Sequence, residues 1–288
     1  MRLMLSAAFA VLAGPAFAAP QVVTDFAPVQ SLVMQVMGDV GTPTMLLPVG
    51  GDPHDFQLRP SQAAALESAN VVFWIGPELT PALDKAIGAL GGKALSVPLL
   101  HKGGGHSRDF ADGEGVDPHA WLDPTNAEVW LGTIAVVLGK VDPPNAAVYA
   151  ANAVAAEAKL VALDKTLMAQ LAPVRGKPLI EFHDAFGYFA DHYGLNVAAT
   201  IELGDATTPS ALRLAQIRQT ALESRAVCAF PEAGRDPAFL KVVAEGTDLK
   251  IGAPQDPEAA LSTDAPTPGL YADLLTHLAQ TVVDCAGN

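Results

Sequence analysis

Three histidines and one aspartate adjoin residues that bend or stop the chain. His183 ends the apolar run Pro178-Leu-Ile-Glu-Phe-His183, which follows a Gly-Lys-Pro turn and gives way to a helix-like pattern from Asp184 to Tyr193. This predicts a strand whose last residue faces the crevice outside the carboxyl end of an open α/β sheet, where ligands collect. Alone, such a histidine reads as a core residue satisfied by a backbone carbonyl. Its company changes that: His54 lies in Gly51-Asp-Pro-His-Asp-Phe56, His119 in Asp117-Pro-His-Ala-Trp-Leu-Asp-Pro124, and Asp256 in Gln255-Asp-Pro257. Three neutral imidazoles and a carboxylate suit tetrahedral coordination of a divalent metal.

Residues 1–18 carry one positive charge, at Arg2, then an apolar stretch over 3–12, a Gly14-Pro15 break and Ala16-Phe-Ala18. This is the layout of a secretory signal peptide, and the apolar stretch is too short to span a bilayer. No cysteine follows the cleavage site, so a soluble periplasmic protein without a lipid anchor is expected, and no later stretch reads as a membrane span. The formal charge of −14 includes Arg2 and becomes −15 without it. Such an acidic surface disfavours nucleic acid and anionic membranes and attracts cations. Cys228 and Cys285 are the only cysteines. In an oxidising compartment they are expected to form a disulfide, and their separation excludes a CxxC-type metal or redox site.

Strands are expected at residues 21–26, 44–48, 70–75 and 94–97, with helices at 28–36, 59–69 and 81–90 between them. This alternation predicts a doubly wound α/β lobe over residues 19–141. From Asp142, an alanine-rich segment with Leu160, Leu163, Leu167 and Leu171 at helical spacing predicts one long connecting helix within a 142–173 linker. A second lobe over 174–288 echoes the first. Ala65-Leu-Glu-Ser68 and Ala221-Leu-Glu-Ser224 each precede a strand, and further strands are expected at 197–201 and 250–252, with helices at 210–222, 237–245 and 271–284. The fold class is therefore α/β, two doubly wound parallel-sheet lobes joined by one long helix.

The segment 101–115 has no periodicity and is rich in glycine and charge, which predicts a mobile surface loop. His101 and His106, with Asp109, Asp112 and Glu114, make it an accessory metal candidate, although a solvated loop is the simpler reading. Trp121 and Trp130 are expected to pack, and His192 and His277 to be structural or surface residues. Glu181, Asp55 and Asp184 are candidates for orienting a ligand ring from behind.

Four segments, Pro53-His-Asp-Phe-Gln-Leu-Arg-Pro60, Val71-Val-Phe-Trp-Ile-Gly-Pro-Glu78, Asp117-Pro-His-Ala-Trp-Leu-Asp-Pro124 and Phe182-His-Asp-Ala-Phe-Gly-Tyr188, resemble the zinc-binding solute receptors of bacterial ABC importers. The resemblance covers essentially the whole mature chain. It implies two lobes joined by a long helix, a metal between them with two ligands from each, and ligands at His54, His119, His183 and Asp256. It also implies delivery of the ion to an inner-membrane ABC permease. A monomer is expected, and a periplasmic metal donor is considered as a further partner. Two departures stand out. The long histidine-rich loop of many zinc members is reduced to His101 and His106, and Pro53 stands where some members have a glutamate, which leaves Asp256 as the natural fourth ligand.

Zn²⁺ accepts nitrogen and oxygen donors in a closed tetrahedron. Manganese receptors of the same family resemble this chain but tend to place a carboxylate at the third position, so a histidine at 183 favours zinc. A secreted zinc hydrolase would need an open coordination position and a placed base; no His-Glu-x-x-His helix is present, and Glu181 or Glu232 would have to serve. A surface adhesin of the same fold is disfavoured by the missing anchor cysteine.

Overall fold

A computed structural model of the chain describes residues 19–48, 51–110, 113, 115–202, 208–259 and 265–287. The expected signal peptide, residues 1–18, lies outside them, as do Asp112 and Glu114 of the glycine-rich segment.

The first lobe is built on β1 (Val22–Thr24), β2 (Thr44–Met45), β3 (Val71–Trp74) and β4 (Leu95–Pro98), all parallel, in the order β2-β1-β3-β4. β1 and β3 are buried along their whole length, as expected of strands covered on both faces, and their runs Val-Val-Thr and Val-Val-Phe-Trp are correspondingly β-branched and aromatic. Helices α1 (Ala27–Met37), α2 (Pro60–Ser68), α3 (Pro81–Leu90) and the short α4 (Leu99–Lys102) alternate with the strands. A proline stands in the first turn of α1, α2 and α3, where its missing N–H costs nothing.

Two helices follow. α5 (Pro124–Val141) lies outside the elements read from the sequence, and α6 (Ala146–Leu171) is the expected connector, entered through a short 3₁₀ turn at Pro143–Asn145. Its 26 residues make a rod of roughly 39 Å. Tyr149, Ala153, Ala156, Leu160, Leu167 and Leu171 form its buried stripe. Its alanine content makes Pro143–Val174 apolar and long enough to cross a membrane by length and composition, but here it packs on α1 and α5.

The second lobe repeats the plan. β5 (Pro178–His183), β6 (Asn196–Glu202), β7 (Cys228–Ala229) and β8 (Lys250–Ile251) form a parallel sheet in the order β6-β5-β7-β8. They alternate with α7 (Gly187–Tyr193), α8 (Ala211–Ser224) and α9 (Ala238–Ala244), and α10 (Leu270–Ala286) closes the chain. α10 does not stay within its lobe: it packs on α1 and on α6. Cys285 near its end is bonded to Cys228 of β7, with Cα atoms 6.1 Å apart, which ties the closing helix to the sheet.

One continuous apolar core joins the lobes, running from β1 and α1 through α5 and α6 to α7 and α10, while a second packs β5 and β6 against α8 and α9. At the junction Trp121 stacks edge-on against Phe26, donates its indole N–H to the carbonyl of Pro257 at 2.8 Å, and gives its own carbonyl to the Tyr271 hydroxyl at 2.6 Å. Thus Trp121, expected only to pack, also fastens one lobe to the other.

Candidate metal centre

His183 is the last residue of β5 and is fully buried. It sits where the sheet order places a crevice, at the carboxyl end of a central strand. His54 lies in a 3₁₀ turn at Pro53–Asp55, whose start is capped by Asp52: its Oδ1 accepts the His54 N–H at 2.9 Å. His119 precedes a similar turn at Ala120–Leu122. There Asp117 Oδ1 accepts the His119 backbone N–H at 3.0 Å and lies 2.7 Å from its Nδ1. In both places an Asp-Pro-His sequence folds so that the aspartate grips the backbone of the histidine two residues on.

These loops bring three imidazoles together, with ring centroids 4.9 Å (His119 to His183), 5.2 Å (His54 to His183) and 5.6 Å (His54 to His119) apart. The fourth member is Glu258. Its Oε1 lies 3.3 Å from His54 Nε2 and 3.8 Å from His183 Nδ1. One donor atom from each of the four falls within 4.8 Å of every other, the sole such group among the described residues. Zinc–ligand bonds near 2.1 Å place tetrahedral donors roughly 3.4 Å apart, so small adjustments would close the set on an ion.

The carboxylate differs from the sequence expectation. Asp256 faces a separate pocket with Ala259, Thr267, Asp273 and His277. The Asp256–Pro257 step begins a turn closed by the Ala259 N–H on the Asp256 carbonyl, and the Pro257 carbonyl is held by Trp121. That turn presents the residue after the proline, Glu258, to the histidines.

The electrostatics divide the centre. Burial lowers the pKa of His119 despite the adjoining Asp117 carboxylate, so its imidazole is neutral. With Nδ1 engaged by Asp117, its buried Nε2 has no hydrogen-bond partner among the described residues, as a donor kept for an ion would. Asp117 is itself held below the usual carboxylate range, since hydrogen bonds from His119 and Arg108 outweigh its burial. Burial pulls His183 down, but Glu232, 3.4 Å from Nδ1, and Glu258 raise it overall. Burial pushes Glu258 up, yet His54, His183 and His119 hold it below its ordinary value. Behind them Glu181, buried and repelled by Glu232, is pushed well above the usual range. Three imidazoles and a carboxylate held ionised fit a divalent cation of borderline softness.

His101 and His106 do not join the cluster. His101 Nε2 is 2.7 Å from Glu78, and His106 is held through its backbone by the Asn126 side chain, its ring 3.3 Å from Asp123. The same segment is fastened across the lobes at Arg108. Its N–H donates to the Tyr188 hydroxyl, its guanidinium reaches Asp117 at 2.7 Å and Asp191 at 3.1 Å, and it lies so close over Gly187 that a Cβ there would fall 1.4 Å from Nη1. His192 bridges Asp123 and Asp164 at the connector. Of the three candidates for orienting a ring, Asp55 is described in its backbone only. Asp52, Asp117 and Glu232 lie in contact with histidines of the cluster. The first two were signalled by the repeated Asp-Pro-His; Glu232, brought in from another strand end, had no local signal.

Residues 22–285 match the profile of the ZnuA family, described as zinc-uptake complex component A, periplasmic. The chain belongs to this family. The high-affinity zinc uptake system protein ZnuA of Paracoccus denitrificans is 45% identical, with 99% of this chain and 98% of that protein covered. The protein of the same name from Brucella abortus strain 2308 is 35% identical over 92% of this chain and 91% of its own length. Among solved structures, a crystal structure of ZnuA superposes with a TM-score of 0.81 at 27% identity, covering 93% of this chain and 99% of the other. As a member of the ZnuA family the chain is a periplasmic zinc-binding receptor of an ABC uptake system, with a permease as its partner, and not an enzyme.

Proposed function

We propose that zinc is carried between the lobes by His54 and His119 from the first and His183 and Glu258 from the second. The observation that carries this assignment is the convergence of those four donors in a buried pocket. With four protein donors the shell is closed, as suits an ion that is to be carried rather than used. Three nitrogens favour zinc over manganese. Asp117 holds the His119 ring and fixes which nitrogen is offered, the usual outer partner of a zinc histidine. The receptor acts as a monomer without a lipid anchor. It divides into lobes at 19–141 and 174–288 about the 142–173 linker, and takes zinc from solution or from a periplasmic metal donor.

The test is a competition titration of the metal-stripped mature protein with zinc and manganese, beside His183→Ala. One tightly held zinc per chain, not displaced by manganese and weakened by the substitution, is expected. Equal competition by manganese, or unchanged zinc binding by the variant, would remove this assignment.

A further inference from the structure

Outside the four donors, a chain of contacts joins His54 of one lobe to His183 of the other through a single guanidinium. Arg235, in the turn after β7, places Nη2 2.9 Å from Asp52 Oδ2 and Nε 3.3 Å from Glu232 Oε1. The second oxygen of each carboxylate lies beside a histidine: Asp52 Oδ1 accepts the His54 backbone N–H at 2.9 Å, and Glu232 Oε2 stands 3.4 Å from His183 Nδ1 at ion-pair distance. The Asp52 contact joins the lobes across 183 residues of sequence. A planar guanidinium can serve two carboxylates at fixed angles at once, which an ammonium cannot do with the same geometry.

We propose that Arg235 is a positioning residue that, through Asp52 and Glu232, keeps His54 and His183 in register across the cleft and thereby slows zinc release. The inference rests on the zinc-receptor reading above. Separating the lobes to free the ion must break the Arg235–Asp52 pair, while loading an already open cleft need not. The effect therefore falls on release rather than capture. The Arg235 side chain is 27% exposed and Asp52 29%, so the pair is partly screened and its removal should speed release by roughly two- to fivefold rather than by orders of magnitude.

The experiment is stopped-flow release of zinc from the full mature protein into excess chelator, with association rates and zinc-free melting measured alongside. It compares wild type, Arg235→Gln, Arg235→Lys, Asp52→Asn and the double variant Arg235→Gln/Asp52→Asn. Asparagine keeps the oxygen that caps the His54 turn, so Asp52→Asn breaks the same contact from the other lobe should Arg235→Gln fold poorly. Faster release in both single variants, no further gain in the double, incomplete rescue by lysine and an unchanged association rate are expected. Wild-type release rates in the single variants, or effects that multiply in the double, would overturn the inference alone. A wild-type protein that holds no zinc would overturn the receptor assignment and this inference with it.

Discussion

In the amino-terminal lobe, His54 and His119 each stand two residues after an aspartate that grips the histidine's own backbone, whereas in the carboxyl-terminal lobe His183 and Glu258 lie among further buried acids, Glu181, Glu202 and Glu232. The first half is built by local turns and presents His119 as a neutral donor. The second is built by strand ends and loops brought from distant sequence, and its acids raise the proton affinity of His183. Burial thus lowers the proton affinity of the histidine in one half, while neighbouring acids raise that of the histidine in the other.

Removing a donor from either half should be the largest effect. His119→Ala and Glu258→Gln are each expected to weaken zinc by more than the roughly 10–100-fold loss that follows removal of an outer partner, read by chelator competition. Asp256→Asn should stay within about twofold of wild type, as a change away from the donors. Equal losses at 256 and 258 would put both acids in the centre and erase the distinction drawn from the turn.

Asp117→Asn probes the prearranged half without touching a donor. It keeps the backbone cap but loses the carboxylate on Nδ1, so zinc affinity should fall by about 10–100-fold. An unchanged affinity would show that His119 needs no such support.

The acid half should dominate the response to pH. If His183 holds zinc as proposed, it must do so unprotonated; burial lowers its pKa, but Glu232 and Glu258 raise it overall above the ordinary histidine value, against His54. Below that raised value a proton competes with the ion, so affinity should fall as pH drops through it, by roughly tenfold per pH unit for one proton. The lowered pKa of His119 delays its own competition to more acidic conditions. Affinity that is flat between pH 8 and 6 would contradict this.

The smallest effect on zinc should come from the disulfide. Cys228 and Cys285 close a loop with a sequence separation of 57, worth about 4 kcal/mol in the chain-entropy picture. The double variant Cys228→Ser/Cys285→Ser should therefore unfold at lower denaturant, followed by circular dichroism, while still binding one zinc per chain.

The two halves also differed in what their sequence disclosed. Strands such as Val71–Trp74 and Pro178–His183 are short apolar runs bounded by turns and were legible, as was the connector with its leucine spacing. α5 was not: Val129 and Val136 on its exposed face add apolar residues opposite the buried Trp130 and Ile134 and blur the helical period. All three histidines of the cluster adjoin turn residues in the sequence. Which acid joins the cluster could not be placed by composition, because Asp256 and Glu258 flank one proline and only the direction of the turn separates them. A finer pattern was nevertheless present. Asp-Pro-His occurs at 52–54 and 117–119, and Asp-Pro-Glu at 256–258, with the member of the cluster third each time. Asp123 and Asp236 make the same Asp-Pro cap merely to begin helices, so the motif locates a turn but does not by itself announce a metal.

The most direct measurement is diffraction from zinc-loaded crystals of the mature protein at energies on either side of the zinc absorption edge. A single anomalous peak bonded to His54, His119, His183 and Glu258 is the predicted result. A peak bonded to Asp256 instead, or one lying away from the three histidines, would contradict the account.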